Sequence, residues 1–162
     1  MEGGPLAGQA AVRGNSIFAN GGLGIDLNND GVTGNDAGDS DALGPNKLQN
    51  FPVLTAASFS DGQVKIDGNL NSAANTAYFV DFFADFGSDP SHHGEGRFFL
   101  GSMDVVTAAD GNVAFESMWN YPGGARVVSA TATDPGGNTS EFSTAIAITG
   151  APAQLLNLTR TC

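Results

Sequence analysis

The stretch Tyr78-Phe79-Val80-Asp81-Phe82-Phe83-Ala84-Asp85-Phe86 decides the fold, because two classes of side chain alternate along it. Successive side chains of a β-strand point to opposite faces, so the apolar set that begins at Tyr78 and ends at Phe86 forms the face of a strand that packs in a core. The opposite face alternates two rings with two acids. We expect the acids to reach water, and the rings to be covered by the N-terminal segment or by a partner chain.

Similar short runs flank this strand, separated by turn sequences rich in Asp, Asn, Gly and Pro. The predicted strands are Pro52–Phe59, Val64–Leu70, Ala77–Phe86, Phe98–Val106, Val113–Trp119, Val127–Thr133 and Phe142–Ile148. Seven short strands within about a hundred residues are typical of an antiparallel β-sandwich. The sequence therefore predicts a sandwich domain over residues 51–150, preceded by segments over 1–25 and 26–50 and followed by a tail over 151–162.

The composition agrees with strands and tight turns, since the 162 residues include 23 Gly and 7 Pro. Seventeen acids against six Lys and Arg give a formal charge of −11. This charge argues against nucleic acid and against an anionic membrane surface as partners. No apolar run is long enough to insert into a membrane, and the single cysteine, Cys162, allows no internal disulfide.

Residues 12–25 read Val-Arg-Gly-Asn-Ser-Ile-Phe-Ala-Asn-Gly-Gly-Leu-Gly-Ile. This pattern resembles one rung of a right-handed parallel β-helix, with Asn15 and Asn20 at corners and Ile17 and Ile25 pointing inward. One rung cannot bury its own apolar face, and solenoids need several. The chain has no visible signal peptide, and we expect it to be the end of a longer exported protein. The alternative is that residues 12–25 add strands to the sandwich.

Three further stretches carry a resemblance that covers most of the chain: Gly44–Leu54, Gly94–Ser102 and Ala130–Ser143. They read Gly-Pro-Asn-Lys-Leu-Gln-Asn-Phe-Pro-Val-Leu, Gly-Glu-Gly-Arg-Phe-Phe-Leu-Gly-Ser and Ala-Thr-Ala-Thr-Asp-Pro-Gly-Gly-Asn-Thr-Ser-Glu-Phe-Ser. With the rung pattern, they resemble the immunoglobulin-like module that follows β-helix repeats in large secreted or surface proteins of bacteria. The resemblance implies a seven-stranded immunoglobulin-like sandwich and an extracellular or cell-surface location, and it implies no reaction.

The loop over residues 26–50 carries a candidate calcium site. Asp26, Asn28 and Asp30 occupy the first, third and fifth positions of an EF-hand-type loop, Gly31 the sixth, and the carbonyl of Val32 the seventh. The usual bidentate acid of the twelfth position is missing, so one of three nearby acids would complete the site: Asp36, Asp39 or Asp41. The alternative is a turn with solvated acids, but like charges this close repel unless a cation is bound.

A second candidate metal site lies in the loop before Phe98, where Asp89, His92, His93 and Glu95 follow one another closely. These side chains suit zinc or another transition metal. A metal-bound water there would make the chain a metal-dependent hydrolase of phosphate esters or glycosides, with catalytic residues among His92, His93 and Glu95. Adjacent histidines on an extended segment point opposite ways, which favours a polar surface loop instead.

Trp119 and Tyr121 form the third candidate site, since exposed aromatic rings beside amides stack on sugars. That interpretation makes the chain a carbohydrate-binding module, whereas core packing at the end of a strand is the favoured alternative.

Taken together, the sequence predicts a non-catalytic, calcium-stabilised extracellular module for spacing, adhesion or glycan contact. Its expected partners are a polysaccharide or cell-surface ligand and, through the outward-facing rings and the unpaired rung, a second copy in a homodimer.

Overall fold

The computed structural model describes residues 8–152, so residues 1–7 and most of the predicted tail, Cys162 included, lie outside the described residues. Within that range the chain is all-β, with one 3-10 turn at Pro45–Leu48 and no α-helix. Its strands are β1 (Val53–Ser60), β2 (Gln63–Asn71), β3 (Ala77–Asp85), β4 (Phe98–Val106), β5 (Asn112–Asn120), β6 (Val127–Thr133) and β7 (Ile146–Ala147). The prediction of an all-β chain is confirmed.

The strands form two antiparallel sheets, one in the order β1-β2-β5 and the other in the order β4-β3-β6-β7. A single core cluster joins the sheets and includes Ile66 of β2, Phe82 of β3 and Val128 of β6. The Phe82 ring lies 5.6 Å from the rings of both Phe115 and Trp119 in β5. Full burial of a side chain of this kind contributes about 1.5–3 kcal/mol. The inward face predicted for β3 therefore lies at the centre of a sandwich-like arrangement from Tyr78 to Ala84. Phe86, which was expected on the same face, follows the end of the strand and is 47% exposed.

The first six strands agree with their predicted ranges to within one residue, whereas the seventh is much shorter. Two serines replace the regular ladder beside β6. The Oγ atoms of Ser140 and Ser143 accept the N–H groups of Ala132 and Ala130, both at 3.0 Å. The serine N–H groups donate to the carbonyls of the same two alanines, both at 2.8 Å. Backbone pairing of β6 with β7 is thus limited to Ile146 and Ala147.

Residues 10–33, here called the strap, lie against the outer face of the four-stranded sheet. The strap contains no strand, and its ladder contact is an antiparallel bridge between Ile17 and Gly96. The Ile17 N–H donates to the Gly96 carbonyl at 2.9 Å, and the Gly96 N–H donates to the Ile17 carbonyl at 2.6 Å. A Cβ atom added at Gly96 would come within 2.7 Å of the Phe83 ring, so glycine allows this close approach.

The outer face of β3 is covered, contrary to one expectation from the sequence. Asp81 and Asp85 were expected to reach water, but they are only 1% and 5% exposed, because strap and loop residues lie over them. Phe83 is also buried, whereas Phe79 stays half-exposed beneath the guanidinium of Arg13, 3.8 Å from its ring centroid. The N-terminal segment therefore supplies cover for this face within one chain.

Candidate functional site

The strap is held by three carboxylates of the sandwich, here called the anchor carboxylates. They are Asp81 in β3, Glu95 in the loop between β3 and β4, and Glu141 after β6, and all three are buried. An ionised carboxylate only accepts hydrogen bonds, and a segment outside any sheet has backbone N–H groups that need acceptors. The three acids and the strap therefore satisfy each other's hydrogen-bonding groups.

Asp81 binds the start of the strap through two different groups. The Arg13 Nη2 atom donates to Asp81 Oδ1 at 3.0 Å and to the Ser102 hydroxyl at 2.7 Å. The Gly14 N–H donates to Asp81 Oδ2 at 3.1 Å. Because Asp81 is 1% exposed, its charge is compensated mainly by these two strap residues.

Glu95 binds the middle of the strap with both carboxylate oxygens. The Ala19 N–H donates to Oε2 at 2.8 Å, and the Asn20 N–H donates to Oε1 at 2.9 Å. The Asn20 side-chain amide also donates to Oε1, at 3.0 Å. Nearby, the guanidinium of Arg97 lies 4.0 Å from the Phe18 ring centroid, and its Nε donates to Asp85 at 3.0 Å.

Glu141 binds the end of the strap on both sides of the predicted calcium loop. Its Oε1 atom accepts the Leu27 N–H at 2.9 Å, and its Oε2 atom accepts the Thr33 N–H at 2.9 Å. The Thr33 hydroxyl adds a third bond, to Oε1 at 3.2 Å. Burial raises the pKa of the Glu141 carboxyl above its usual range, the Asp26 charge raises it further, and these hydrogen bonds lower it.

The predicted calcium loop is a turn that closes on the carboxylate of Asp26. Asp26 accepts the backbone N–H groups of Asp30 and Gly31, at 3.2 and 3.3 Å. Asn28 and Gly31 have positive φ angles of 89° and 97°, which reverse the chain over that carboxylate. The loop is exposed at Asn28, Asp30 and Val32. These hydrogen bonds alone give Asp26 a structural role in the turn.

The acids that follow the turn are Asp36, Asp39 and Asp41, and the carboxylates of the first two accept hydrogen bonds from different donors. Asp36 accepts the Ser40 N–H, at 3.0 Å to Oδ2. Asp39 accepts the Asn50 N–H at 3.1 Å and the Ser72 hydroxyl at 2.7 Å. Burial raises the pKa of Asp39, and the charges of Asp36 and Asp134 raise it further, whereas the two hydrogen bonds lower it. Asp41 is exposed.

Asp39 and Asp41 line a cleft of about 320 Å³ together with Asp134, Lys47 and Tyr78. The hydroxyl oxygens of Tyr78 and Ser72 lie 2.8 Å apart, and burial raises the pKa of the tyrosine hydroxyl. Within residues 8–152, no group of three or more His, Cys, Asp or Glu side chains is arranged to hold a metal ion. A calcium site in the loop would therefore also need its amide and carbonyl oxygens, and it stays a prediction.

The residues of the second candidate metal site point to different partners. His93 is buried, its Nδ1 atom lies 2.7 Å from the Phe142 carbonyl oxygen, and its ring packs edge-on against Phe51. Glu95 accepts backbone N–H groups of the strap. Asp89 accepts the N–H of Ser91 at 2.7 Å, and His92 is exposed with a φ of 67°. Zinc binding and hydrolysis at this loop stay predictions.

The two predicted glycan-contact residues pack against the core. The Trp119 indole N–H donates to the Ser117 hydroxyl at 3.0 Å, and its ring lies over Gly101, where an added Cβ would come within 2.1 Å. The Tyr121 hydroxyl donates to the Ala125 carbonyl at 2.9 Å, and its ring meets Phe59 edge-on. Both side chains are half-buried, which leaves part of each ring at the surface.

Sequence reasoning missed most of the anchoring residues. Arg13 and Glu141 were not assigned to any site, whereas Glu95 was placed in the second candidate metal site and Asp81 was expected either to reach water or to contribute to that site. One signal was present in the sequence: β3 carries acids between phenylalanines on one face, and Arg13 is the only basic residue before Lys47. The partner of Glu141 had no such signal, because Leu27 and Thr33 donate through backbone atoms that every residue has.

Comparison with known proteins gives no assignment. No protein-family model matches the chain, and no curated protein matches its sequence. Among residues 8–152, no helix is long and apolar enough to cross a membrane.

Proposed function

We propose that the chain is a non-catalytic, calcium-stabilised extracellular module, with an immunoglobulin-like sandwich, that serves for spacing, adhesion or glycan contact. The observation that supports it best is the strap, in which three buried carboxylates hold a long irregular segment by its backbone. We expect these bonds to hold the strap and the sandwich together as one rigid unit. A rigid unit of this kind suits a module that joins or spaces parts of a larger extracellular protein.

The strand order supports the immunoglobulin-like part of the proposal. In immunoglobulin domains, strands A, B and E share one sheet, and strands C, F and G share the other. If β1, β2 and β5 are A, B and E, and β3, β6 and β7 are C, F and G, the order seen here agrees with that pattern. The remaining strand, β4, lies beside β3 and extends the second sheet.

The strap supports the β-helix part of the proposal. A solenoid needs a terminal element that covers its last apolar layer. A Cβ atom added at Gly24 would come within 2.9 Å of the Phe142 ring and 3.2 Å of the Ile17 side chain, and Leu27 is buried. We propose that residues 12–25 of the strap are the final rung of a β-helix and that the four-stranded sheet covers its end.

The calcium part rests on charge and loop geometry. No Lys or Arg lies between Arg13 and Lys47, although residues 26–41 contain five Asp. The buried Glu141 adds a sixth acid beside the Asp26 turn, where it binds the backbone of Leu27 and Thr33. Asp26, Asn28 and Asp30, with the carbonyl of Val32, would supply the oxygen ligands that calcium prefers. A bound divalent cation would offset the mutual repulsion of these acids and hold the turn in one conformation.

A melting experiment with and without calcium tests this function. Calcium at a hundredfold excess over its dissociation constant should stabilise the folded chain by about 2.7 kcal/mol, and a chelator should remove the gain. Asp26→Asn with Asp30→Asn should abolish the gain, whereas the matched control Asp110→Asn, in the turn before β5, should keep it. Magnesium should act more weakly because it prefers a rigid octahedral site. An unchanged melting temperature in calcium would refute the calcium part.

A further inference from the structure

The chain has one Asn-Gly dipeptide, Asn20-Gly21, and it lies at the surface of the strap. Asn20, Gly21 and Gly22 are all exposed, and a Cβ atom added at Gly21 would meet no atom within 4 Å. Within the described part of the chain, the Gly21 N–H donates no hydrogen bond. The backbone nitrogen of Gly21 is therefore unobstructed and unpaired beside the side-chain amide of Asn20.

We propose that Asn20 is a site of spontaneous deamidation and that the product releases the strap from Glu95. The Gly21 backbone nitrogen loses its proton to hydroxide and attacks Asn20 Cγ. The bond from Cγ to Nδ2 breaks, and Nδ2 leaves as ammonia, which gives a five-membered succinimide. Water then opens the ring at either carbonyl and leaves aspartate or isoaspartate at position 20. The sequence of steps consumes one water, releases one ammonia and needs no oxidant or cofactor.

The residue after each asparagine decides which one reacts. Gly21 has no Cβ, so its nitrogen and backbone can adopt the geometry of ring closure most easily. Every other asparagine of the chain is followed by a residue with a side chain. Asn46, Asn50 and Asn138 are also buried and hydrogen-bonded through their side chains. Deamidation should therefore be concentrated at Asn20.

The same asparagine holds the strap to an anchor carboxylate, which gives the reaction a structural consequence. Its backbone N–H and its side-chain amide both donate to Glu95 Oε1, at 2.9 and 3.0 Å. Deamidation removes the side-chain donor and places a second carboxylate against Glu95, which is only 8% exposed. Two like charges this close disfavour each other's ionised form. The isoaspartate product also lengthens the backbone and shifts the N–H groups that Glu95 accepts.

The release should reach the aromatic residues under the strap. The Ile17–Gly96 bridge lies three residues before Asn20, and Gly96 lies against the rings of Phe83 and Phe142. If Ala19 and Asn20 leave Glu95, this bridge is the next bond along the strap to open. Deamidation at one exposed residue thereby changes the cover of the outer face of the four-stranded sheet.

Ageing of the full-length chain tests the reaction. The protein is incubated in water enriched in heavy oxygen, at mildly acidic and mildly alkaline pH, and peptides are mapped by mass spectrometry. Heavy oxygen should enter position 20 first, and faster at alkaline pH because the attacking nitrogen must lose a proton. Gly21→Ala should slow the reaction about tenfold, or about 1.4 kcal/mol of barrier. No product at position 20, or an equal rate in Gly21→Ala, would overturn the proposal.

Hydrogen exchange separately tests whether deamidation releases the strap from Glu95. Asn20→Asp places the product's charge at position 20, whereas the matched control Asn20→Ser removes the amide donor without adding charge. Amides of residues 14–20 should exchange faster in Asn20→Asp than in Asn20→Ser, while those of β3 stay protected in both. The deamidated fraction of the unmodified sequence, purified by ion exchange, should behave like Asn20→Asp. Equal exchange of strap amides in both variants would refute the release, whatever the rate of the reaction.

Discussion

The sandwich over residues 53–147 and the strap over residues 10–33 are stabilised by different interactions. The sandwich is held by backbone ladders and by a buried apolar cluster that spans both sheets. The strap is held mainly by its backbone N–H groups, which donate to side-chain oxygens of the sandwich. Stability of the sandwich therefore depends on apolar area, and attachment of the strap depends on a few buried charges. The two regions should respond to different substitutions.

Removing a central core ring should have the largest effect and should act on both regions together. Phe82→Ala leaves a cavity between the sheets, and we expect a loss of about 3–5 kcal/mol in the free energy of unfolding. Denaturant titration measures it. The matched control is Phe79→Ala on the other face of the same strand, where loss of the contact with Arg13 should cost about 0.5–1 kcal/mol. Equal losses in the two variants would contradict the assigned faces of β3.

Removing an anchor carboxylate should affect the strap and spare the sandwich. Glu141→Ala leaves the buried Leu27 N–H without its acceptor, at a cost of about 1–3 kcal/mol. It also removes the acceptor of the partly buried Thr33 N–H. Hydrogen exchange should show faster exchange at residues 27–33 and unchanged protection in β2 and β3. Glu116→Ala, an exposed acid of β5, is the control and should leave both regions unchanged. Simultaneous loss of protection in β3 would show that the regions are not separable.

Part of the pH dependence of stability should come from the Glu141 carboxyl group. The pKa values of Glu141 and Asp39 are raised in the folded chain, chiefly by burial, so the folded state binds more protons than the unfolded state. Their contribution is fully present below the ordinary carboxyl pKa and is lost as the pH rises through the raised values. Melting curves taken upward in pH from the ordinary carboxyl pKa of about 4 should show a flatter slope in Glu141→Gln. An unchanged slope would contradict the assignment to Glu141.

The smallest effects on stability should come from the two adjacent histidines. His93 is buried and His92 is exposed, so their variants compare a buried side chain with an exposed one. His93→Ala removes the bond to the Phe142 carbonyl, at a cost of about 0.5–1.5 kcal/mol. His92→Ala should change stability by less than about 0.5 kcal/mol, as is usual for surface residues. Thermal melting of the two variants measures the difference. A larger loss in His92→Ala would point to a role for that side chain beyond the contacts seen here.

The sequence predicted the sandwich well because its information is local. Alternation in β3 and the Asp-Gly turns placed six strands to within one residue. The seventh strand was predicted too long because the serines beside β6 bond through side chains, and alternation cannot show that. The expectation that the acids of β3 reach water failed for a related reason. A strand pattern shows which side chains share a face, but it does not show what covers that face.

The contacts of the candidate-site residues could be predicted only in part, because many of their partners lie far away in the chain. The Asp26 turn forms from adjacent residues, and its spacing is visible in the sequence. The loop with His92 and His93 contains metal-binding residue types, yet the fold directs His93 to Phe142 and Glu95 to the strap. Local spacing shows which residue types the loop contains, but their partners come from other elements.

What the sequence by itself determined is the set of strands, the turns between them and the acidic character of the region before them. Those features follow from side-chain alternation, turn-forming residues and charge, all of which act over a few neighbouring residues. Only the tertiary structure decided that Asp81, Glu95 and Glu141 bind the strap, across 67 to 114 positions of sequence. The physical reason is that backbone N–H groups are alike at every residue, so their acceptor is chosen by where the packed sheets bring a buried carboxylate.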